Sequence, residues 1–314
     1  MRIVFAGSPA FAVPSLKRLL ASRHQVVSIV TQPARPAGRG LALTEPPVKQ
    51  VALDAGVEVH QPEKFNAPEF LDVLAERKPD LIITAAYGRI FRRRALDIPS
   101  LGCVNLHASL LPAYRGVAPI NWAIINGERS TGVTTFFMDE GVDTGDIILA
   151  GETPIGPDET AGELTGRLAA LGADVLAGTC DAIAAGTAPR VKQDASQGSY
   201  AAKLAKEDGR LSFEWEAGRV HDRVRGVSPW PGAFVEFRGQ RLKILSSALA
   251  AADAGSQASP EAGRTIAIDS RSGLLVSCKG GAVWLKSVQA PGKKPTGGAD
   301  FARGYRIKVG DAFG

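Results

Sequence analysis

The sequence is poor in cysteine, with Cys103, Cys180 and Cys278 the three thiols among 314 residues. They are far apart, odd in number and in no C-x-x-C pair, which excludes a disulfide framework and a zinc site built on paired thiolates. They read as reduced, small core residues. No H-E-x-x-H or other dense cluster of ligating side chains occurs, so no built-in metal is expected. No apolar run approaches the ~18 residues a membrane span needs, and the first eight residues turn too soon for a signal peptide. A soluble, cytoplasmic, monomeric chain without a membrane partner is expected. The turn after the first apolar run, Gly7-Ser8-Pro9-Ala10-Phe11, has one glycine where a dinucleotide fingerprint has three, and there is no P-loop. Hydride transfer and nucleoside triphosphate hydrolysis therefore lack their usual marks.

What is present is ordinary globular material: 45% hydrophobic and 22% charged residues, enough for a core and too apolar for disorder. At ~100–200 residues per domain the length suggests two domains. Charge divides unevenly. Residues 1–190 carry a net −2 and residues 191–314 a net +7, so the whole surplus of +5 lies in the last third. A basic module suggests a polyanionic partner such as RNA, held through its phosphates; a solvated lysine-rich face explains the charge equally well.

To about residue 186 the chain alternates short apolar runs with amphipathic stretches. Strands are expected at 3–6, 26–31, 57–60, 81–85 and 103–107, with helices at 15–20, 47–55 and 68–77, the signature of a parallel α/β sheet. Strands at 131–138 and 147–152 close the sheet, and a long helix follows over 160–185, with Leu164, Leu168, Leu171 and Val175 on one stripe. Residues 187–208 are polar and contain Pro189, Gly198 and several serines, so they read as a linker crossing the surface. Beyond them come a helix at 217–225 and short strands at 233–237, 241–245, 265–269, 273–277 and 282–287, spaced as in a small all-β, oligonucleotide-binding-like barrel. Residues 248–263 form a loop of small residues. The expected division is a catalytic domain at 1–188, a linker at 189–208 and a barrel domain at 209–314. Trp215, Trp230 and Trp284 are expected in the barrel core rather than as base-stacking platforms.

The densest polar constellation is central. Asn105 and His107 are two apart on an expected strand and so face the same way, at its C-terminal end, where open α/β sheets bind ligands. An amide beside an imidazole there can hold a carbonyl oxygen and supply a proton; a satisfied core histidine and a turn-capping asparagine would look the same. Residues 139–146 then carry four acids, Asp139, Glu140, Asp143 and Asp146, between two strands. The spacing fails as a calcium loop. It fits Asx-turn chemistry, and it equally fits a carboxylate that faces His107 and orients or tunes it. Cys103 shares the face of Asn105, but nothing nearby marks it as an activated thiolate.

Together, Asn105-x-His107, Ser109-Leu110-Leu111-Pro112 and Asp143-Thr144-Gly145 resemble the folate-dependent formyltransferase family. Thr31-Gln32-Pro33-x-Arg35-Pro36-Ala37-Gly38-Arg39-Gly40, Ala85-Ala86-Tyr87-Gly88, Tyr114-Arg115-Gly116-x-Ala118-Pro119-Ile120 and Trp230-Pro231 narrow it to members whose acceptor is a tRNA, and the resemblance spans essentially the whole chain. It implies a doubly wound, Rossmann-like sheet followed by a tRNA-binding barrel. The implied reaction passes the formyl group of 10-formyltetrahydrofolate to the α-amino group of methionyl initiator tRNA, giving formylmethionyl-tRNA for translation initiation. Asn105, His107 and Asp143 would be catalytic. Ser109, Leu110, Leu111 and Pro112, with Ala86, Tyr87 and Gly88, would wall the folate. Arg35 and Arg39 on an insertion loop would meet the acceptor stem, and Lys203, Lys206, Lys293 and Lys294 would contact phosphates. The loop continues as Leu41-Ala42-Leu43, without further bases, so its contacts would rest on the two arginines. The alternative acceptor is an amine of a sugar nucleotide or of glycinamide ribonucleotide.

Overall fold

Ile3, Val4, Phe5 and Ala6 are wholly buried, as a strand covered on both faces of a parallel sheet must be. They lie in β1 (Arg2–Gly7). The computed structural model describes residues 1–37, 42–251 and 261–313. After β1 come α1 (Val13–Leu20), β2 (Gln25–Val30), the short strands β3 (Arg35–Ala37) and β4 (Ala42–Thr44), α2 (Pro47–Asp54), β5 (Val59–His60), α3 (Pro68–Glu76), β6 (Leu81–Ala85), α4 (Arg93–Leu96) and β7 (Cys103–His107). The chain continues through β8 (Arg115–Gly116), α5 (Pro119–Ile125), β9 (Ser130–Phe137), β10 (Ile147–Pro154), α6 (Ala161–Ala184) and β11 (Tyr200–Ala201). Proline sits in the first turn of α1, α2 and α3, where its missing N–H has no intrahelical partner to lose.

The seven-stranded sheet has the order β10-β9-β7-β6-β1-β2-β5. All ladders from β5 to β7 are parallel, and β9 runs antiparallel to β7. From β1 the chain builds outward through β2 and β5, then returns to the other side of β1 with β6 and β7. That reversal places a topological switch point between β1 and β6, where diverging loops leave a crevice at the carboxyl ends of the strands. The expected, mostly parallel α/β sheet is present, and the strands read at 81–85 and 103–107 fall on β6 and β7 to the residue. Within the Gly/Pro-rich insertion, β3 and β4 form a small hairpin that pairs Arg35 with Thr44.

Contacts divide the chain into two units. One comprises Met1–Pro119, Ser130–Thr153 and Thr165–Ala202; the other Ile120–Arg129, Pro154–Leu164 and Lys203–Gly314. The second therefore gathers two segments that sequence order places inside the first. Asn121 Nδ2 donates to the Gly226 carbonyl at 2.8 Å, and Arg225 Nη1 to that of Gly156 at 3.2 Å. Residues 189–202, read as part of a linker, cluster with the first unit.

The second unit contains α7 (Ala217–Gly226), β12 (Ala233–Phe237), β13 (Gln240–Leu249), β14 (Thr265–Asp269), β15 (Gly273–Cys278), β16 (Gly281–Gln289), β17 (Thr296–Gly297) and α8 (Gly298–Gly304). Its strands pair in the order β12-β13-β16-β15-β14, with β17 on β16, and every ladder is antiparallel. Phe237 stacks on Phe313 with ring centroids 4.7 Å apart and meets Phe301 edge-on at 5.6 Å. Trp230 is not core: it is 52% exposed, and Trp215 and Trp284 are half-buried. Much of the loop read at 248–263 lies outside the described residues. Among those described, no helix is long and apolar enough to cross a membrane.

Candidate active site

At the carboxyl edge of the sheet, the loops after successive strands are tied to one another. Ser8, just past β1, accepts a hydrogen bond from the Gln32 amide at 3.0 Å through its hydroxyl. Gln32, past β2, donates through Nε2 to the Tyr87 carbonyl, past β6, at 2.9 Å. Ala86 and Gly88 are exposed here in left-handed backbone conformations, φ +48° and +75°. They stand at the switch point itself. The Tyr87 side chain turns the other way, packing against Phe65 and Phe91 in the core, and burial pushes its phenol up to about 12. The expectation that Tyr87 walls a ligand thus transfers to its carbonyl and to its two neighbours.

β7 supplies the centre. Asn105 lies opposite Thr84 of β6 in the parallel ladder, and the buried Thr84 hydroxyl donates to Asn105 Oδ1 at 2.7 Å. A carboxylate only accepts, so Asp143 settles the amide: Nδ2 faces it, 3.4 Å from Oδ1, and the amide oxygen faces Thr84. Two residues on, His107 places Nε2 at 2.8 Å from the Tyr114 carbonyl. A carbonyl only accepts, so Nε2 carries a proton and Nδ1 is the nitrogen left for chemistry. Nδ1 stands 3.6 Å from Asp143 Oδ2. The side chains of His107 and Asp143 are 7% and 14% exposed, so their pairing is shielded from most of the solvent.

The loop between β9 and β10 carries Asp143, and here the acids divide between turn-making and facing β7. Asp139 is a turn-maker, its Oδ1 accepting from Gly141 N at 3.0 Å and Thr144 Oγ1 at 2.7 Å. Asp143 is held at φ +54° and turned toward β7. Its Oδ2 also accepts the Gly116 amide at 2.8 Å. Gly145 packs so tightly on the Phe137 carbonyl that a Cβ would overlap it. The three residues expected to be catalytic are therefore brought together, Asn105 and His107 each facing one oxygen of Asp143.

The loop after β7 departs from expectation in detail. Ser109 is wholly buried, its hydroxyl donating to the Ala113 carbonyl at 2.6 Å. Thr134 Oγ1 accepts from Leu111 N at 3.1 Å and donates to the Ser109 carbonyl at 2.7 Å. Ser109 and the Leu111 amide thus shape the loop, leaving Leu110 and Pro112, both half-buried, as its accessible surface. Cys103 is buried, and burial pushes its thiol up to about 12, away from the thiolate form a nucleophile needs. Arg35 is exposed on β3, and Arg39 lies outside the described residues. Lys203, Lys206, Lys293 and Lys294 are all exposed.

Several contributors are given no role by sequence reasoning: Thr84, Gln193 and Ser199, and the Tyr114 carbonyl and Arg115, which enter it only as part of a motif. Thr84 does carry a signal in the sequence, as the lone polar residue in Leu-Ile-Ile-Thr-Ala. The others come from the supposed linker and its partners.

Residues 1–179 match the formyl transferase family and residues 203–306 its C-terminal domain. The chain belongs to the formyl transferase family. Among its relatives are the methionyl-tRNA formyltransferases of Ruminiclostridium cellulolyticum, 44% identical over all of both chains, and of Moorella thermoacetica, 45% identical over all of this chain and 99% of that one. A solved N-formyltransferase from Helicobacter canadensis, in complex with folinic acid and dTDP-3-aminofucose, shares the fold at TM-score 0.66 and 18% identity, over 90% of this chain and 98% of that one.

Proposed function

We propose that this chain transfers the formyl group of 10-formyltetrahydrofolate to the α-amino group of methionyl initiator tRNA, acting as a cytoplasmic monomer. One observation carries the reading: Asn105, His107 and Asp143 converge at the carboxyl edge of the sheet, beside the switch-point crevice, in a chain that matches methionyl-tRNA formyltransferases end to end. The exposed, left-handed Ala86 and Gly88 offer close-approach backbone suited to a flat ring system such as the donor's pterin.

The chemistry is acyl transfer. The acceptor amine attacks the formyl carbon, an oxyanion develops, the bond to N10 breaks, and one proton passes in net from the amine to N10. Asn105 Nδ2 is the fixed donor for the oxyanion, because Thr84 holds the amide oxygen away. His107, already donating from Nε2 to Tyr114, presents Nδ1 to the site. Asp143, facing Nδ1, stabilises the doubly protonated ring, which donates from Nδ1 and then delivers that proton to N10. Asp143 takes the amine proton and returns it to Nδ1, which closes the cycle. Preorganised donors of this kind are each worth ~100–1,000-fold in turnover. The amine is itself the nucleophile, so no covalent enzyme intermediate is needed. Arg35, Arg39, Lys203, Lys206, Lys293 and Lys294 hold the tRNA, which makes binding fall steeply with salt.

The test is a transfer assay with 10-formyltetrahydrofolate, offering methionyl initiator tRNA, free methionine and a sugar-nucleotide amine in parallel. Transfer to the tRNA alone, lost in His107→Ala, is the expected result. Transfer to the sugar amine alone would reassign the acceptor.

A further inference from the structure

We propose that Gln193 is a positioning residue that sets the place of Asp143, and that the segment carrying it belongs to the reaction machinery. The inference rests on the reading that Asp143 serves formyl transfer. Gln193 lies in a stretch whose composition reads as linker, yet its side chain uses all of its near-side hydrogen-bonding capacity on the site. Nε2 donates to the Asp143 carbonyl at 2.9 Å and to the Gly145 carbonyl at 2.8 Å. Oε1 accepts from Arg115 Nε at 3.1 Å and Nη2 at 2.7 Å. The residue after Arg115, Gly116, donates its amide to Asp143 Oδ2. One amide thus grips two carbonyls of the Asp143–Gly145 turn and also steadies the strand that supplies the carboxylate's own donor.

The backbone at Asp143 needs that grip. A non-glycine residue at φ +54° is in a sparsely populated conformation, which persists only where its surroundings hold it. Neighbouring contacts close the same seam. Tyr114 N donates to Ser199 Oγ at 2.8 Å, Arg115 N to the Ser199 carbonyl at 2.9 Å, and Val117 N to the Ala201 carbonyl at 2.8 Å. The Tyr114 carbonyl in turn accepts from His107. Both partners of the His107–Asp143 pair are therefore held by the 193–201 segment, Asp143 through Gln193 and His107 through Tyr114.

Gln193→Glu isolates the claim. It keeps the length of the side chain and its acceptor for Arg115, and it replaces the two Nε2 donations by an oxygen facing two carbonyls. Misplacing a working group by about 1 Å can cost on the order of 100-fold. The expected result is a kcat lower by that factor, with KM for donor and tRNA within about twofold. In an Asp143→Ala background the same substitution should cost nothing further, because it acts through the missing carboxylate. Hydrogen exchange of the amides at 114–117 and 139–146 in Gln193→Glu supplies a readout independent of turnover and should be accelerated. Full kcat in Gln193→Glu, losses that multiply in the double variant, or unchanged exchange would each overturn the proposal. A wild-type chain without formyl transfer would instead sink the proposed function, and the exchange comparison would still decide whether Gln193 positions Asp143.

Discussion

Asp143→Asn is the most searching perturbation of the site, because it changes charge and donor pattern while keeping shape. The carboxylate accepts from Asn105 Nδ2 through Oδ1 and from the Gly116 amide through Oδ2, and it faces His107 Nδ1 at 3.6 Å. An asparagine has one NH2 to place. Facing Gly116, it sets donor against donor; facing Asn105, it sets two amide NH2 groups together. Either orientation loses one hydrogen bond to a charged group, worth about 1.5–3 kcal/mol, which a domain of ordinary stability, about 5–15 kcal/mol, survives. Turnover suffers more, because the group that accepts the amine proton and supports a charged His107 is gone. Loss of general acid–base assistance of this kind amounts to ~10²–10⁴-fold, or about 2.7–5.4 kcal/mol of barrier at 1.36 kcal/mol per decade. Single-turnover formyl transfer measures the rate, and calorimetric titration with the folate donor shows whether its site persists. A folded Asp143→Asn protein transferring formyl within about threefold of wild type would refute the proton bookkeeping given for the site.

Other outcomes are as definite. Thr84→Val removes the hydroxyl that fixes the Asn105 amide; a neutral hydrogen bond at ~0.5–1.5 kcal/mol predicts roughly a two- to tenfold fall in kcat with KM unchanged. Burial pushes the thiols of Cys103, Cys180 and Cys278 each up to about 12, so iodoacetamide at pH 8 should label none of them in the native protein and all three in denaturant; rapid native labelling of Cys103 would contradict its burial. His24 is buried, and that burial, first among its causes, holds its pKa below the ordinary 6.5. The folded state resists a proton that the unfolded chain accepts, so the contribution of His24 to stability is lost as pH falls below about 6.5; melting temperatures between pH 7 and 5 should fall less steeply in His24→Gln than in wild type. Alanine at both Lys293 and Lys294 should weaken tRNA binding and flatten its log–log salt slope by about one for each phosphate no longer held.

The parts of this molecule legible in the sequence are those whose cause is local. β6 and β7 are short, mostly apolar runs that follow polar breaks, and their ends are readable to the residue. Asn105 and His107 can be placed on one face because side chains alternate along a strand. Thr84, Tyr114 and Gln193 are not readable for a common reason: each acts through a hydrogen bond to a partner 21, 7 or 50 positions away, and no periodicity records such a bond. The stretch around Gln193 shows why composition misleads. Its Gly, Ser and Pro content correctly reports that it buries little apolar surface, but it is fastened by main-chain and amide hydrogen bonds, which composition does not register. Trp230 errs in the opposite direction, an aromatic assigned to the core on hydrophobicity and found half in solvent.

The seam formed by residues 193–201 also bears on where this protein can be divided. The formyl transferase match ends at residue 179, and the match to the C-terminal domain begins at residue 203, so a designer trimming to a minimal catalytic fragment would naturally stop soon after α6. Under the proposed role of Gln193, such a fragment would keep Asn105, His107 and Asp143 and still lose turnover, because the strap over the Asp143 loop and the Tyr114 turn would have been discarded with the apparent tether. Exchange of C-terminal domains among members of this family meets the same boundary: a graft joined after Ala202 carries the whole Asn105, His107 and Asp143 cluster and its strap with it, whereas one joined at residue 180 must rebuild that strap from foreign sequence.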